Sequence, residues 1–348
     1  MVSSEASAAT PVESLHAGLE VFIAGETGHA TTIRTLSRLP GGTMREAWAL
    51  DVEIAGGVWA GLHRLVLLAD CGAEILYSRV PRNDELRVIA AMHAAGVPAP
   101  RAYWCIPEGA PHGLKPGILM ERVEGETVAR RLLADPAYAA VRPRLLDQMA
   151  GALARMHAVR ADTLDGLPGP APAQTPIAFQ VGEVEASLRA LGEPHPALEL
   201  GLRWLSRQMP SCDRLVVVHG DYRLGNLVVD PHDGLRAVLD WELAHLGDPG
   251  EDVGWACMRF WRSIDRPGVP ALGSRERFLE AYVAQGGRRF DTEAAHYWDV
   301  FANVRWAVIT LSQANRHLSG RERSLELASI GRHCAEVEWE LMRLLRDR

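Results

Sequence analysis

The sequence predicts an α+β protein of about two lobes, with strands early in the chain and helices later. The 348 residues are more than a single hydrophobic core usually holds, so the length favours two lobes. Short apolar or β-branched runs separated by turn residues recur before residue 126. From Thr127 onward, most segments place their apolar residues at helical spacing instead.

The early part of the chain begins with a helical pattern in residues 12–25, where Leu15, Leu19 and Phe22 repeat at helical spacing. A second helical pattern runs from Asn83 to about His93 and interrupts a series of strand patterns. In the later part, the apolar stripe of residues 145–157 predicts a long central helix. The early strand patterns cover residues 32–39, 46–54, 63–68, 102–106 and 117–125.

Composition describes an ordinary globular protein, with 47% hydrophobic and 23% charged residues. A net charge of −7 gives no support for nucleic acid or an anionic membrane as the main partner. No apolar run reaches the roughly 18 residues of a membrane span, and residues 1–14 lack the pattern of a secretory signal. Five cysteines without Cys-x-x-Cys spacing favour reduced thiols, so we expect a cytoplasmic protein with a disordered leader.

The most informative stretch is Leu215 to Glu242, which reads LVVVHGDYRLGNLVVDPHDGLRAVLDWE. Three short β-branched runs flank a loop from His219 to Asn226, and the last of these runs leads back to Asp240. A carboxylate that accepts a hydroxyl proton, together with an amide oxygen and a second carboxylate as magnesium ligands, suits phosphoryl transfer. The alternative is that these Asp and Asn residues only form turns.

The stretches HGDYRLGN (residues 219–226) and LDWE (residues 239–242) resemble the signature of the aminoglycoside phosphotransferase and choline kinase group. More narrowly, they are similar to the branch whose kinase-like domains occur alone in bacteria or fused to acyl-CoA dehydrogenases. The resemblance implies a two-lobed protein-kinase-like fold, with a small antiparallel-sheet N-lobe and a larger, mainly helical C-lobe. The implied division is a leader and N-terminal helix (1–30), an N-lobe with nucleotide-covering loop and hinge (31–125), and a C-lobe (126–348).

The resemblance also implies the reaction, a transfer of the γ-phosphoryl group of ATP to a hydroxyl of a small molecule with Mg²⁺ present. Asp221 would be the base, Asn226 and Asp240 would hold the metal, and His219 would orient the loop. Arg223 would face the γ-phosphate or be a solvated loop arginine. In the same resemblance, Asp248 and Asp252 brace the metal loop, with helix capping as the alternative. Several tryptophans (Trp255, Trp261, Trp298, Trp306 and Trp339) either line an acceptor pocket or pack in the core.

On the nucleotide side, the resemblance assigns a covering loop to Gly41, Gly42 and Thr43, whose alternative is a plain hairpin turn. Backbone groups near Glu121 and Val123 would pair with the adenine edge as an interlobe hinge, or else belong to a buried strand with an exposed turn. Glu85 is the expected helix partner of a basic residue on the third strand, and its alternative is a solvated helix charge.

The sequence departs from its relatives at Leu68, where they carry a basic residue at the end of the third strand. Arg64, Arg79 or Arg82 would then have to supply the charge. This departure keeps open a second function, a nucleotide- or ligand-binding pseudokinase with little or no turnover. The acceptor and the oligomeric state do not follow from the sequence.

Overall fold

The computed structural model describes residues 11–40, 45–71, 79–261 and 272–346. Their contacts divide into two units. Unit 1 contains the described residues up to 71 together with Pro100–Arg122, and unit 2 contains residues 79–99 and 123–346. The predicted early lobe, residues 31–125, thus differs from unit 1 at residues 79–99, which group with the helical part of the chain.

Unit 1 is one helix and a five-stranded antiparallel sheet with the strand order β1-β2-β3-β5-β4. The long central pairing of β2 with β3 is in register along the whole of both strands. The elements are α1 (Pro11–Thr27), β1 (Thr31–Arg38), β2 (Arg45–Ile54), β3 (Gly61–Asp70), β4 (Ala102–Ile106) and β5 (Gly117–Glu121).

The two faces of this sheet differ in composition because side chains alternate along each strand. One face packs against α1 and forms the core of unit 1, where Leu65, Leu67 and Ala69 of β3 belong to the same buried cluster as the helix residues Leu19 and Ile23. The opposite face, called here the second face, carries the cross-strand pairs Ala49–Val66, Ala47–Leu68 and Arg45–Asp70. Leu68 therefore points away from the α1 side of the sheet.

Unit 2 is mainly helical. It contains two short antiparallel strand pairs, β6 with β9 and β7 with β8. These strands lie in and directly after the stretch from Leu215 to Glu242. The strands are β6 (Val216–Val218), β7 (Leu227–Asp230), β8 (Gly234–Val238) and β9 (His245–Gly247). The helices are α2 (Arg82–Ala94), α3 (Ala129–Ala134), α4 (Arg142–Ala158), α5 (Pro176–Leu191), α6 (Pro196–Arg207), α7 (Gly250–Cys257), α8 (Arg275–Ala284), α9 (Thr292–Leu318), α10 (Leu325–Gly331) and α11 (Cys334–Arg346).

The core of unit 2 is built around α9, the longest described helix, whose buried positions contact α5, α6, α7 and α11. The predicted central helix is present as α4, and its buried stripe runs from Leu145 to His157. The α+β class with an antiparallel sheet and a mainly helical remainder is thus confirmed. Within the described residues, no helix is both long and apolar enough to span a membrane.

Candidate functional site

The loop from His219 to Asn226 connects β6 to β7 in unit 2, as its turn residues predict. It begins with a tight bend at Gly220, whose φ of 82° lies in the left-handed region. A Cβ at this position would lie 2.6 Å from the carbonyl oxygen of Leu243. Glycine is therefore required here both by the backbone conformation and by the close approach of a neighbouring chain segment.

The carboxylate of Asp221 is held by three side-chain donors. Asn226 Nδ2 donates to Oδ2 at 2.6 Å, and Trp255 Nε1 donates to Oδ1 at 2.8 Å. Arg223 Nε lies 3.0 Å from Oδ1 and 3.2 Å from Oδ2. Donors from the loop itself and from α7 thus fix the orientation of this carboxylate, which suits a base that must meet a substrate hydroxyl in one geometry.

Asn226 is oriented by two acceptors, since its Nδ2 also donates to the backbone oxygen of Asp221 at 3.0 Å. Both contacts require the nitrogen end of the amide, so Oδ1 points the other way as an acceptor. The backbone oxygen of Asn226 accepts from Leu239 N–H at 2.8 Å, which brings the end of the β7–β8 hairpin beside the loop. Asp240 follows with a φ of 67°, a left-handed conformation that is uncommon outside glycine and typical of functional sites.

Asp240 lies among other carboxylates. Burial, together with the neighbouring charges of Glu242, Asp221 and Glu85, raises its pKa to about 8 against the opposing charge of Arg223. Repulsion of this kind is relieved by a cation, and carboxylate and amide oxygens are the ligands that Mg²⁺ prefers. The residues present therefore fit a magnesium site made by Asp240 and Asn226, which stays a prediction.

His219 and Asp252 hold the loop through hydrogen bonds to its backbone. Nδ1 of His219 accepts from the backbone N–H of Asp221 at 3.1 Å, so Nε2 carries the proton and donates to Leu239 O at 2.9 Å. Burial lowers the pKa of His219, which favours this neutral form. The carboxylate of Asp252 accepts from the backbone N–H groups of His219 and Gly220 at 2.7 and 3.0 Å.

The bracing predicted for two aspartates is seen for Asp252, whereas Asp248 makes other contacts. Asp248 accepts from Gly250 N–H at 2.8 Å and from Arg288 Nη1 at 2.8 Å. His157, the last residue of the predicted apolar stripe, is buried and has a polar contact, with Asp252 Oδ2 at 3.2 Å from its Nε2. The helical stripe around His157 predicts its burial but carries no signal for this partner.

Arg223 is not a freely solvated loop arginine, because its guanidinium contacts Asp221 and lies over the ring of Trp261, 4.9 Å from the ring centroid. Gly225 makes room for it, since a Cβ there would lie 2.3 Å from Arg223 Nη1. The contact of Arg223 with a γ-phosphate stays a prediction.

The five tryptophans separate into three groups. Trp255, Trp261 and Trp306 pack edge to face or tilted together with Phe260, at centroid distances of 4.7 to 6.1 Å, and these four residues are called here the aromatic cluster. Trp298 is buried in the core, while Trp339 is 63% exposed on the last helix. The hydrogen bond from Trp255 to Asp221 places this cluster beside the predicted base, a contact for which the sequence has no motif.

Of the nucleotide-side predictions, Gly41, Gly42 and Thr43 lie outside the described residues. Glu121 ends β5 in unit 1, where its backbone N–H and side chain already bind Arg101, whereas Val123 begins the next part of unit 2. The hinge role of both stays a prediction. The alternative for Glu85 is wrong, since its side chain is 1% exposed and its charge reaches Asp240.

The basic residues proposed to replace the one missing at Leu68 are placed differently. Arg64 lies on β3 opposite Asp51, at the far end of the second face. Arg79 Nη2 lies 3.4 Å from Glu242 Oε2 in unit 2, and Arg82 begins α2 with a partly buried side chain. Arg64 thus lies on the same strand and face as Leu68, four residues before it, whereas Arg79 and Arg82 belong to unit 2.

The chain is similar over most of its length to several characterised proteins. It is 28% identical to acyl-CoA dehydrogenase family member 10 of Mus musculus, over 80% of this chain and 27% of that protein. It is 25% identical to acyl-CoA dehydrogenase family member 11 of Homo sapiens, over 74% of this chain and 35% of that protein. The chain thus spans about a quarter to a third of the length of these relatives.

Solved structures show the fold. A candidate aminoglycoside phosphotransferase from Ralstonia eutropha JMP134 has a TM-score of 0.71 and 24% identity, covering 94% of this chain and 98% of its own. An aminoglycoside phosphotransferase solved with ADP and hygromycin B has a TM-score of 0.61 at 16% identity, covering 92% and 98%. The predicted protein-kinase-like fold and family resemblance are confirmed. Residues 73–298 match the model of the phosphotransferase enzyme family, and the chain belongs to this family.

Proposed function

We propose that the protein is an ATP- and Mg²⁺-dependent kinase that transfers the γ-phosphoryl group to a hydroxyl of a small molecule. The observation that supports this most strongly is the geometry of Asp221. Its carboxylate is held by donors from Asn226, Arg223 and Trp255, and Asn226 simultaneously presents an amide oxygen on its other side. A base and a metal ligand are thus coupled through one hydrogen bond.

In this proposal Asp221 accepts the proton of the acceptor hydroxyl as that oxygen attacks phosphorus. Arg223 supplies a positive charge beside the base, and its guanidinium can bind a phosphate oxygen after small movements of the side chain. His219 and Asp252 keep the loop backbone in place. Magnesium held by Asn226 and Asp240 would supply the charge that neutralises the phosphate oxygens.

The aromatic cluster beside Asp221 supports an acceptor that has an apolar part. Two positive groups lie over its rings, Arg223 over Trp261 and Arg305 over Trp255, and the one carboxylate described in contact with it is Asp221. Aminoglycosides are polycations and need carboxylates at their binding sites, so the two arginines over these rings disfavour them as acceptors. Hydroxylated acyl compounds or hydroxy acids fit the rings and the positive charge better, and the names of the dehydrogenase relatives point in the same direction.

The test is acceptor-dependent release of ADP, measured across hydroxylated acyl compounds, hydroxy acids and aminoglycosides with Mg-ATP present. With the best acceptor, Asp221→Asn should lower turnover by about 10²-fold or more, the usual scale of losing a general base. Binding of Mg-ATP and thermal stability should be nearly those of the parent protein. Equal turnover of Asp221→Asn and wild type would contradict the assignment of the base.

A second function, a pseudokinase that binds nucleotide without turnover, is favoured by the apolar Leu68 on β3. It predicts that Mg-ATP raises the melting temperature while no acceptor in the panel increases ADP release. Phosphorylated product from any acceptor, identified by mass spectrometry, would exclude it.

A further inference from the structure

We propose that Arg45 supplies the cation for nucleotide phosphates that β3 lacks at Leu68. The inference rests on the proposed function, since it concerns how the same nucleotide is held. It moves the positive charge from β3 to the neighbouring strand β2, on the same face of the same sheet.

The register of β2 and β3 places Arg45 beside the position of the missing charge. Ala47 pairs with Leu68 and Arg45 pairs with Asp70, so Arg45 is the diagonal neighbour of Leu68. Residues paired across two strands point to the same side of the sheet, and diagonal neighbours about 7–8 Å apart are within reach of a long side chain. The guanidinium of Arg45 can therefore reach a phosphate bound over Leu68.

The environment of Arg45 is unusual for an arginine. The residue is 8% exposed, and its Nε lies 3.4 Å from Asp70 Oδ1. Arginine is rarely buried unless it is paired, because removing its charge from water is costly. A carboxylate partner keeps the guanidinium oriented on the second face, and an arriving phosphate presents the same kind of acceptor to the same planar group.

The middle of the second face is suited to a flat, apolar ligand next to this charge. Ala47 and Ala49 of β2 pair with Leu68 and Val66 of β3, so small and apolar side chains lie between Arg45 at one end and Arg64 at the other. An adenine over the apolar part would place its phosphates toward the end of the strands that Arg45 occupies.

Two other positive side chains of unit 1, those of Lys115 and Arg122, form ion pairs away from Leu68. Lys115 Nζ binds Glu46 Oε1 at 3.0 Å, and Glu46 alternates with Arg45 and so points to the other face. Arg122 Nη2 binds Asp51 Oδ1 at 2.8 Å, at the Arg64 end of the second face. Arg45 is thus the described arginine of this face that lies nearest to Leu68 in the strand register.

The test is calorimetric titration of Mg-ATP and, separately, of adenosine into the full chain. Arg45→Gln should weaken binding of Mg-ATP by about 10- to 100-fold, the scale of losing charge-assisted hydrogen bonds to phosphate, and leave adenosine binding unchanged. The matched control is Arg34→Gln, which removes an exposed arginine that pairs with Glu53 on the same sheet. This control should bind both ligands as the wild type does.

Unchanged binding of Mg-ATP by Arg45→Gln would overturn the inference, and so would an equal loss for Mg-ATP and adenosine, which indicates a structural role. Arg45→Met keeps the aliphatic stem and serves as the second variant if Arg45→Gln does not fold. A wild-type protein that binds neither ligand would refute the proposed function itself, an outcome distinct from failure of Arg45 alone. Adding Leu68→Arg to Arg45→Gln should restore Mg-ATP binding.

Discussion

The loop from His219 to Asn226 in unit 2, predicted to be catalytic, and the second face of the sheet in unit 1, proposed to bind nucleotide, differ in how their side chains are positioned. In the loop, each functional side chain is fixed by short-range contacts, such as those of Asn226 and Arg223 with Asp221. On the sheet face, the strand register alone decides which side chains become neighbours, as for Arg45 and Leu68. We therefore expect the loop to tolerate few substitutions. On the sheet face, a residue on a neighbouring strand can supply the same charge.

The two sites also differ in electrostatic balance. Asp240 lies among Glu242, Asp221 and Glu85, whose like charges raise its pKa to about 8 after the effect of burial. On the sheet face, Arg45 and Asp70 form one pair of opposite charge. A bound cation would thus relieve repulsion among the carboxylates near Asp240, while Arg45 on the sheet face is already paired with a carboxylate.

The largest expected effect comes from neutralising the repelled carboxylate. Asp240→Asn should abolish most of the Mg²⁺ dependence of ATP binding, measured by titration with and without the metal. It should also raise the free energy of unfolding by about 0.5–1.5 kcal/mol, because a repulsion is removed and Asn tolerates the left-handed backbone.

Asp233→Asn is the control, because this carboxylate is exposed on the β7–β8 turn and pairs with Arg236. It should leave both the metal dependence and the stability within about 0.5 kcal/mol of the parent protein. An Asp240→Asn protein that is less stable than wild type, with metal-dependent binding intact, would mean that the carboxylates of the loop do not repel one another.

A smaller effect is expected when the charge is returned to β3. Because Arg45 already lies on the second face, Leu68→Arg in the wild-type background should place two guanidinium groups close together and weaken Mg-ATP binding by about 3- to 10-fold. In the Arg45→Gln background the same change should tighten binding instead. A favourable effect in both backgrounds, measured by the same titrations, would show that Arg45 and Leu68 serve different spaces.

The contrast between the two sites also explains what the sequence can predict. The proximity of Asp221, Asn226 and Asp240 is predicted from spacing, because a tight loop and a hairpin return leave few ways to arrange them, whereas their roles come from the family resemblance and stay predictions. The strand patterns likewise predict β2 and β3, and both strands are longer in the structure than the patterns indicate. Residue spacing does not reveal which strands pair or in what register. The sequence analysis therefore does not name Arg45 among the residues that could replace the charge missing at Leu68.

Long-range partners in unit 2 are hidden for the same reason. Trp255 donates to Asp221 across 34 residues, and His157 meets Asp252 across 95 residues. A tryptophan on a helix and a histidine in an apolar stripe predict burial, which is correct for both. Their polar partners depend on how α4 and α7 pack, and a periodic pattern reports only which face of each helix is buried.

The buried polar groups next to Asp252 give the last prediction, a pH dependence of stability. Next to Asp252 on α7, Glu251 accepts from Arg305 Nη1 at 2.6 Å and lies 2.9 Å from Nε2 of His245. Burial lowers the pKa of His245, but the charge and hydrogen bond of Glu251 outweigh it, so the pKa is raised above the ordinary 6.5. The unfolded chain has no such partner.

Because the folded pKa of His245 is the higher one, its contribution to stability is fully present below pH 6.5 and is lost as pH rises through the folded value. The free energy of unfolding, measured by denaturant titration between pH 6 and 9, should therefore fall less in His245→Gln than in wild type. The difference should not exceed the roughly 1.5–3 kcal/mol of a hydrogen bond to a charged group. Asp240 titrates in both proteins, so its effect cancels in this difference.

His16→Gln, which removes a half-exposed histidine near Glu20 on α1, is the control and should reproduce the wild-type profile. Parallel profiles for His245→Gln and wild type would show that His245 is not charged beside Glu251 in the folded protein.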